Sequence, residues 1–362
     1  MEALDAAGFI PALRARGFQE KNGAKFMRGD EVCDFNFDEA FTPGWSWTWQ
    51  VQRADFDHTL AKDLIARGVS IDFATQVTCV TIEGGRSRVT VKDANGDEST
   101  IEARFVIDAS GYGRVLPRLL KLDRVSGQHS RRAVFGHFTD PRREQVSDEP
   151  NRIQIVSCKQ PGMWAWVIPF STGTTSVGFV GPHAIFEACG ATPEEQMNAL
   201  IAEEVHTATR FAGCERVFGP RAIEGWSVTT DRLCGEGYAL AGNATEFLDP
   251  VFSSGVTLGV VSGQRTGELA ARQLLGEQVD WQREYVEPTL HGVDVFRVYV
   301  DAWYDGTLEE IFYAPNPDPD VIRKICSVLA GYVWDLENPY VRKGARALAA
   351  LRARVQAEAQ AR

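Results

Sequence analysis

The chain has 362 residues, with 38 basic and 49 acidic side chains and a formal net charge of -11. That length exceeds one ordinary core and points to about two domains, while 44% hydrophobic and 24% charged residues exclude wholesale disorder. The acidic balance excludes non-specific binding to nucleic acid or an anionic membrane, no apolar run reaches the roughly 18 residues of a spanning segment, and the opening MEALDAAGFIPALRARGF lacks the basic start and apolar centre of a signal peptide.

In chain order, a helix is predicted through about Leu13, then a strand around Ala24–Met27, then a stretch, Thr42–Gln50, crowded with glycine, proline and tryptophan. Asp55 is placed to cap a helix carrying Phe56, Leu60 and Leu64, which ends at Gly68 as helices commonly do. A short strand is expected at Val69–Phe73. A meander follows: Val77–Ile82, the Gly84-Gly85 turn, Ser87–Lys92, the Asn95-Gly96 turn and Thr100–Ala109. Asn-Gly between alternating runs is a strong hairpin signal. The last strand ends in a continuous apolar run, which suits burial on both faces of a parallel sheet. Its end, Asp108-Ala109-Ser110-Gly111, lies where open α/β sheets bind ligands.

From about Arg131 the texture becomes strand-like: Arg132–Phe138, Arg152–Cys158, Met163–Phe170 and Thr174–Val180. Pro193–Ala208 reads as a helix with Thr192 as N-cap, Pro193 at the first position and Glu195 closing a capping box. Strand patterns return at Ala222–Thr229 and Gly237–Ala241. A long helix runs from about Ser254 to Leu275 and stops at Gly276; beyond about Trp281 the chain is helical and aromatic-rich. The tail carries Arg342, Lys343, Arg346, Arg352, Arg354 and Arg362 against Glu358, with Leu348, Leu351 and Val355 at helical spacing, so it reads as an amphipathic closing helix.

The strongest local feature runs from Gly242-Asn243-Ala244 through Asp249-Pro250-Val251-Phe252-Ser253-Ser254-Gly255-Val256. A strand enters a Gly-Asn turn, kinks at Asp-Pro and starts a helix, whose free N–H groups and positive dipole end attract an anion or an electron-rich ring edge. Gly259, Gly263 and Gly267 continue from Gly255 at every fourth residue and are expected to pack the helix closely on a sheet. On a strand, Trp164 and Trp166 point to the same face, and such pairs also serve as plain core. Arg53 precedes a helix and can clamp a phosphate or ribityl oxygen, or stand solvated. Lys21 and Lys25 read from spacing alone as ordinary surface lysines. The seven cysteines (Cys33, Cys79, Cys158, Cys189, Cys214, Cys234, Cys326) form no CxxC pair, so neither a zinc site nor a disulfide framework is expected, and a reducing cytoplasm is. The six histidines (His58, His129, His137, His183, His206, His291) show no metal-ligand spacing.

Together these segments resemble the flavin-dependent halogenases, a branch of the FAD-dependent monooxygenase superfamily. Trp164–Pro169 matches the WxWxIP motif, Asp249–Val256 is similar to the DPVFSSGV helix start, and Val106–Gly111 resembles the DASG strand end. Arg53 with Phe56-Asp57 resembles RxxFD, and Val333–Pro339 the late WDxxNP stretch. The resemblance spans about Gly17 to Lys343. It implies an α/β (mixed α+β) fold: an FAD-binding Rossmann-like domain interleaved with an antiparallel-sheet substrate domain and a helical C-terminal region. Residues 1–125 are assigned to the FAD-binding domain with its meander, 126–235 to the substrate sheet, 236–280 to the returning FAD-binding strand and helix, and 281–362 to the helical region. The GxGxxG phosphate loop and the acidic ribose position are absent. By the family pattern the FAD-binding domain is therefore incomplete, short of roughly 50 residues at its start, and weak FAD binding is expected because that loop holds the pyrophosphate.

The resemblance also implies a chemistry. FADH2 from a separate flavin reductase, dioxygen and halide give hypohalous acid, which travels to a lysine beside the organic substrate; the lysine donates a hydrogen bond to the oxidant or carries the halogen. Lys21 is the first choice and Lys25 its competitor. Ser254 and Gly255 are the expected halide contacts. Arg53, Asp108, Gly111, Gly242, Asn243, Asp249, Pro250, Gly255 and Val256 are the expected FAD contacts, and Trp164, Trp166 and Pro169 the partition between substrate and flavin. Asn243 stands where the superfamily has aspartate. Phe252 stands where the tryptophan-specific branch has glutamate, so the implied substrate is a phenol or pyrrole, free or tethered to a carrier protein. Two other readings are an FAD monooxygenase or prenyl-chain reductase of the same fold that uses no halide, and an inactive truncated scaffold.

Overall fold

The structure, a computed structural model, describes residues 1–124, 127, 130–146 and 151–361. His129 and Arg362, both noted in the sequence, lie outside the described residues.

Two short helices, Glu2–Ala6 and Ile10–Arg16, open the chain where one was expected. Gly8, at φ +73°, turns the chain between them in a conformation that favours glycine. Strands β1 (Gln19–Lys21), β2 (Gly23–Arg28), β3 (Glu31–Asn36) and β4 (Thr48–Gln50) follow. The next helix runs Arg53–Ala66 with Gln52 at its N-cap, so Asp55 sits inside the first turn and is not the cap. Val69–Phe73 is not a strand: Val69 and Phe73 are exposed and pair with no neighbouring strand, and an apolar run without a partner leaves its backbone to water. The meander forms as read, with β5 (Gln76–Glu83), β6 (Arg86–Lys92) and β7 (Glu98–Ala103) pairing antiparallel. The run expected to continue to Ala109 breaks, and β8 (Val106–Asp108) joins a different sheet. Nor is β8 buried on both faces, since Ile107 is 38% exposed at the sheet edge.

The two-residue β9 (Asp123–Arg124) precedes the long strands β10 (Arg132–Thr139), β11 (Arg152–Ser157), β12 (Trp164–Pro169), β13 (Thr174–Gly181) and β14 (Arg216–Glu224). The predicted Pro193–Ala208 helix divides into Pro193–Glu203 and Val205–Phe211, because Glu204 is extended and caps the second through the His206 N–H. The capping box of Thr192 and Glu195 is present in both directions. Finally come β15 (Thr229–Thr230), β16 (Cys234–Gly235) and β17 (Tyr238–Leu240), then the helices Ser254–Leu274, Glu287–Tyr304, Thr307–Phe312, Pro319–Leu329 and Ala345–Gln360. The closing helix buries Leu348 and Leu351, as its spacing predicts.

Seven strands make the central sheet in the order β14-β10-β13-β12-β11-β2-β3, antiparallel except for the parallel β11–β2 pair. Strands β2 and β3 therefore share a sheet with the strands of 126–235, although they lie within residues 1–125. Both faces are covered. On one, Phe26, Ile153, Ile155 and Trp164 pack with Phe296, Tyr299 and Trp303 of the C-terminal helices; on the other, Val156, Val167, Val177 and Phe179 pack with Phe186, Leu200 and Phe211. Double coverage explains why every residue of β11 is buried. A separate three-stranded sheet, β16-β17-β8, has a parallel β17–β8 pair.

The late tryptophan motif is a clamp of the fold. Trp334 lies on Gly292, where a Cβ would come within 2.6 Å of the indole, and its Nε1 donates to the Pro288 carbonyl at 2.7 Å. Asp335 accepts from the Thr42 hydroxyl at 2.6 Å, and the fully buried Asn338 caps the Tyr340 N–H and donates to the Lys324 carbonyl.

Candidate functional site

Strand β17 delivers the chain to Gly242-Asn243-Ala244, a single 3-10 turn. Gly242 has φ +57°, its N–H donates to Ser262 Oγ at 2.8 Å, and a Cβ there would meet the Gly259 Cα at 3.4 Å. Glycine suits this position on both counts: a left-handed backbone and close approach to the long helix. Arg114, buried and overlooked in the sequence, holds the turn from behind: its guanidinium donates to the carbonyls of Asn243, Ala244 and Thr229 and pairs with Asp123.

After Asp249 a turn of Pro250–Phe252 leads into the Ser254–Leu274 helix. Ser253, the N-cap, is left-handed at φ +53° and its side chain caps nothing, so the first amides of this helix have no side-chain acceptor. Ser254 is buried, Gly255 half-buried and Val256 exposed. Phe247 covers Gly255, where a Cβ would come 2.9 Å from the ring, and Phe247 meets Tyr112 edge-on at 5.6 Å. Farther along, Gly259, Gly263 and Gly267 differ from expectation: a Cβ on any of them would meet nothing within 4 Å. These glycines do not pack the helix onto a sheet; they leave a bare backbone face open.

Two of the expected ligand carboxylates are already committed. Asp108 accepts from the Ser110 N–H and the Leu116 N–H, both at 2.7 Å, and so holds the turn after β8. Asp249 is buried and accepts from the Val251 N–H at 3.1 Å and the Tyr304 hydroxyl at 3.0 Å. Burial pushes its carboxyl up to about 6, against the Val251 N–H, the Arg131 charge and the Tyr304 hydroxyl, which favour the ionised form. Arg53 is exposed and forms a two-bond pair with Asp57, and its charge reaches Tyr112. Gly111, at φ +59°, has open space on its side-chain face.

On β12, Trp164 and Trp166 face the same side, with ring centroids 5.9 Å apart. They differ in exposure. Trp164 is buried and its Nε1 donates to Tyr304 Oη at 2.9 Å; Trp166 is half-buried and donates to Ser176 Oγ at 3.1 Å. Trp166 is thus the member with a free surface. It lies over Gly178, its register partner on β13, where a Cβ would come 2.2 Å from the ring. Replacing Gly178 with alanine should cost about 1–3 kcal/mol in denaturant unfolding. In a Trp166→Ala background the same change should cost much less, because the clash is gone.

The lysines separate. Pairing of β1 with β4 sets Lys21 opposite Thr48, and its ammonium lies 5.7 Å from the Phe37 ring centroid. Next to it, Gly23 allows no side chain: a Cβ would be 2.1 Å from the Phe35 carbonyl and 2.6 Å from Arg152 Nε. Burial pushes the Lys21 ammonium down to about 8. Lys25 alternates with Ala24 and Phe26, which face the tryptophans, and so shares the opposite face with Met27. Phe252 packs against Phe26 and Tyr299 at 6.4 and 6.0 Å. Among the described residues no cluster of histidine, cysteine and acidic side chains could hold a metal, and no helix is long and apolar enough to cross a membrane.

The family described as FAD binding domain matches residues 1–280. The chain is similar in structure to a flavoprotein/dehydrogenase from Cytophaga hutchinsonii, with a TM-score of 0.96 and 51% identity over 99% of this chain and 87% of that one. In sequence it is 25% identical over 337 residues to the 1H-pyrrole-2-carbonyl-[peptidyl-carrier protein] brominase of Pseudoalteromonas luteoviolacea (strain 2ta16), covering 91% of this chain and 80% of the relative. It is 27% identical over 265 residues to the tryptophan 2-halogenase of Chondromyces crocatus, covering 72% of this chain and 50% of the relative.

Proposed function

The chain belongs to the FAD binding domain family and is an FAD-dependent oxidoreductase, and from that premise we propose that it halogenates an electron-rich aromatic ring. The substrate is a phenol or pyrrole, free or tethered to a carrier protein, and FADH2 comes from a separate flavin reductase. The observation that carries this reading is one apolar cluster. It contains Phe37, beneath Lys21; Trp164, with Trp166 against it; and Val251 and Phe252, at the mouth of the Ser254–Leu274 helix. A lysine and an uncapped helix start thus stand at two borders of a core that includes the tryptophan strand. Similarity to a brominase acting on a carrier-bound pyrrole supports the substrate class.

The residues present suit the ring end of FAD. Gly242 and Gly255 are half-buried glycines at the two turns, Gly111 faces open space, and the first amides of the helix have no side-chain acceptor. Arg53, Gly111, Gly242, Asn243, Gly255 and Val256 would hold the cofactor. Asp108 and Asp249 would act behind it, since their oxygens hold turns. When bound, reduced FAD would supply two of the four electrons that dioxygen takes up; the halide gives the other two as it is oxidised to hypohalous acid, and the second oxygen atom leaves as water. The amides at Ser254 and Gly255 hold the halide by hydrogen bonding and by the helix dipole. Trp166, fixed by Ser176 and Gly178, screens the ring edge from the aromatic substrate, with Trp164 behind it. Lys21 holds its proton at Nζ and donates it in a hydrogen bond to the oxidant. Phe252 places no carboxylate where a ring proton would be accepted, which suits an electron-rich arene that loses its proton readily.

The test uses the full chain with FAD, a flavin reductase, NADH and bromide, against a panel of phenols, pyrroles and free tryptophan. A brominated phenol or pyrrole, recognised by its isotope pair in mass spectrometry, is the expected product. A hydroxylated product without halogen would overturn the proposal. It would favour the second reading, a flavin oxidoreductase that uses no halide, which the similarity to the Cytophaga flavoprotein/dehydrogenase supports.

A further inference from the structure

Three polar side chains from distant parts of the sequence form a one-way hydrogen-bond chain beside the helix mouth. An indole N–H can only donate, so Trp164 gives its proton to Tyr304 Oη at 2.9 Å. The phenolic hydrogen is then directed to Asp249 Oδ2 at 3.0 Å, while Oδ1 accepts from the Val251 N–H at 3.1 Å. Trp164 comes from β12, Tyr304 from the last turn of the Glu287–Tyr304 helix, and Asp249 from the turn ahead of Ser254. The titratable and charged groups that face the carboxylate are Tyr304 and Arg131, the latter just ahead of β10 with its guanidinium 3.3 Å from the Tyr304 ring centroid. A phenylalanine at position 304 would fill nearly the same volume. What the hydroxyl adds is a link between the tryptophan strand and the turn that begins the long helix.

We infer that Tyr304 is a positioning residue, which with Asp249 fixes the Trp164 ring relative to the Asp249–Ser253 turn and so keeps the tryptophan partition in place against the helix mouth. Its consequence for catalysis rests on the halogenation reading; its geometry does not. With Asp249 ionised, the Tyr304 hydrogen bond is charge-assisted and the chain is tight. With Asp249 protonated that assistance is lost, and the change is felt two bonds away at the Trp164 indole.

The test reads the indole directly. The full chain is labelled with 15N at its 9 tryptophans, and the Trp164 N–H resonance is identified by its loss in Trp164→Phe. In the wild type this resonance should shift with pH, with a midpoint near 6. In Asp249→Asn and in Tyr304→Phe it should be flat, with far-UV circular dichroism unchanged. A resonance insensitive to pH in the wild type, or still titrating in Tyr304→Phe, would overturn the inference. In the bromination assay, Tyr304→Phe should lower halogenated product per dioxygen consumed by about tenfold, with peroxide release continuing; an unchanged ratio would also overturn it. If the wild type gives no halogenated product, the halogenation reading fails, but the indole titration still decides whether Tyr304 positions Trp164.

Discussion

Replacing Lys21 with alanine should abolish halogenation, a loss of about 10²–10⁴-fold or more, while dioxygen consumption and peroxide release persist. Product formation and oxygen uptake measured on the same sample separate the two. Activity should also report the ammonium itself. Burial holds the Lys21 group at about 8 instead of its usual 10.5, so a hydrogen bond donated by the ammonium should be lost, and the rate should fall, as pH rises through about 8. A rate that rises through the same pH would assign the neutral amine as halogen carrier. Retained halogenation in Lys21→Ala would move the role to Lys25, on the far face of the sheet. Stability should move the opposite way from activity. Between about 8 and 10.5 the unfolded chain binds more protons at this lysine than the folded one, so stability rises with pH across that window and the full cost is present below it. Lys21→Met should therefore stabilise the protein at pH 7 by about 1–3 kcal/mol in urea unfolding. A lysine kept at a stability cost is what a functional role predicts.

Replacing Asp140 with asparagine should destabilise the protein by about 3–5 kcal/mol at pH 7. Asp140 has no exposed side-chain surface and lies against buried Arg210, which donates to it through Nε at 3.0 Å and through Nη2. It also accepts from the Thr175 hydroxyl and pairs with Arg143, whose remaining donors reach the carbonyls of Phe170 and Thr174. One carboxylate therefore joins the ends of β10 and β13 to the Val205–Phe211 helix. Its loss leaves Arg210 as a buried cation without its counter-charge. Burial opposes ionisation of Asp140, but the hydrogen bonds from Arg210 and Thr175 and the Arg210 and Arg143 charges outweigh it and hold the group below the ordinary carboxylate range. A depressed carboxyl contributes fully above its unfolded value, near 3.8, and loses that contribution as pH falls through the folded value. The gap between wild type and Asp140→Asn should thus be widest at neutral pH and close in acid. A gap that stays constant with pH would show that lost packing, not charge, is responsible.

Much of the fold was legible because periodicity and turn chemistry are local. The meander, the capping box at Thr192 and Glu195, and the long helix from Ser254 stand where the pattern puts them. Two of the failures share a cause that the sequence does not contain. Val69–Phe73 has a strand's composition but no partner strand, and β8 has a buried strand's composition but lies at a sheet edge; pairing and coverage are properties of the neighbours. The bare glycine face of the long helix is the same case, since spacing shows small residues but not what stands opposite them.

The site divides along the same line. Sequence by itself determined the residue types and their order: the tryptophan strand, the Asp-Pro turn into an uncapped helix, a lysine before a glycine. These carried the family and the flavin chemistry, because each is a short motif whose meaning depends on adjacent residues. Only the tertiary structure decided which groups are free to act. It committed the carboxylates of Asp108 and Asp249 to holding turns, buried Trp164 against Tyr304 while leaving Trp166 a free face, and placed Lys21 and Lys25 on different sides of the sheet environment. The physical reason is that a polar atom's availability depends on its partners, and Tyr304 lies 55 residues from Asp249 and 140 from Trp164 in the chain. No window of sequence contains both ends of those bonds.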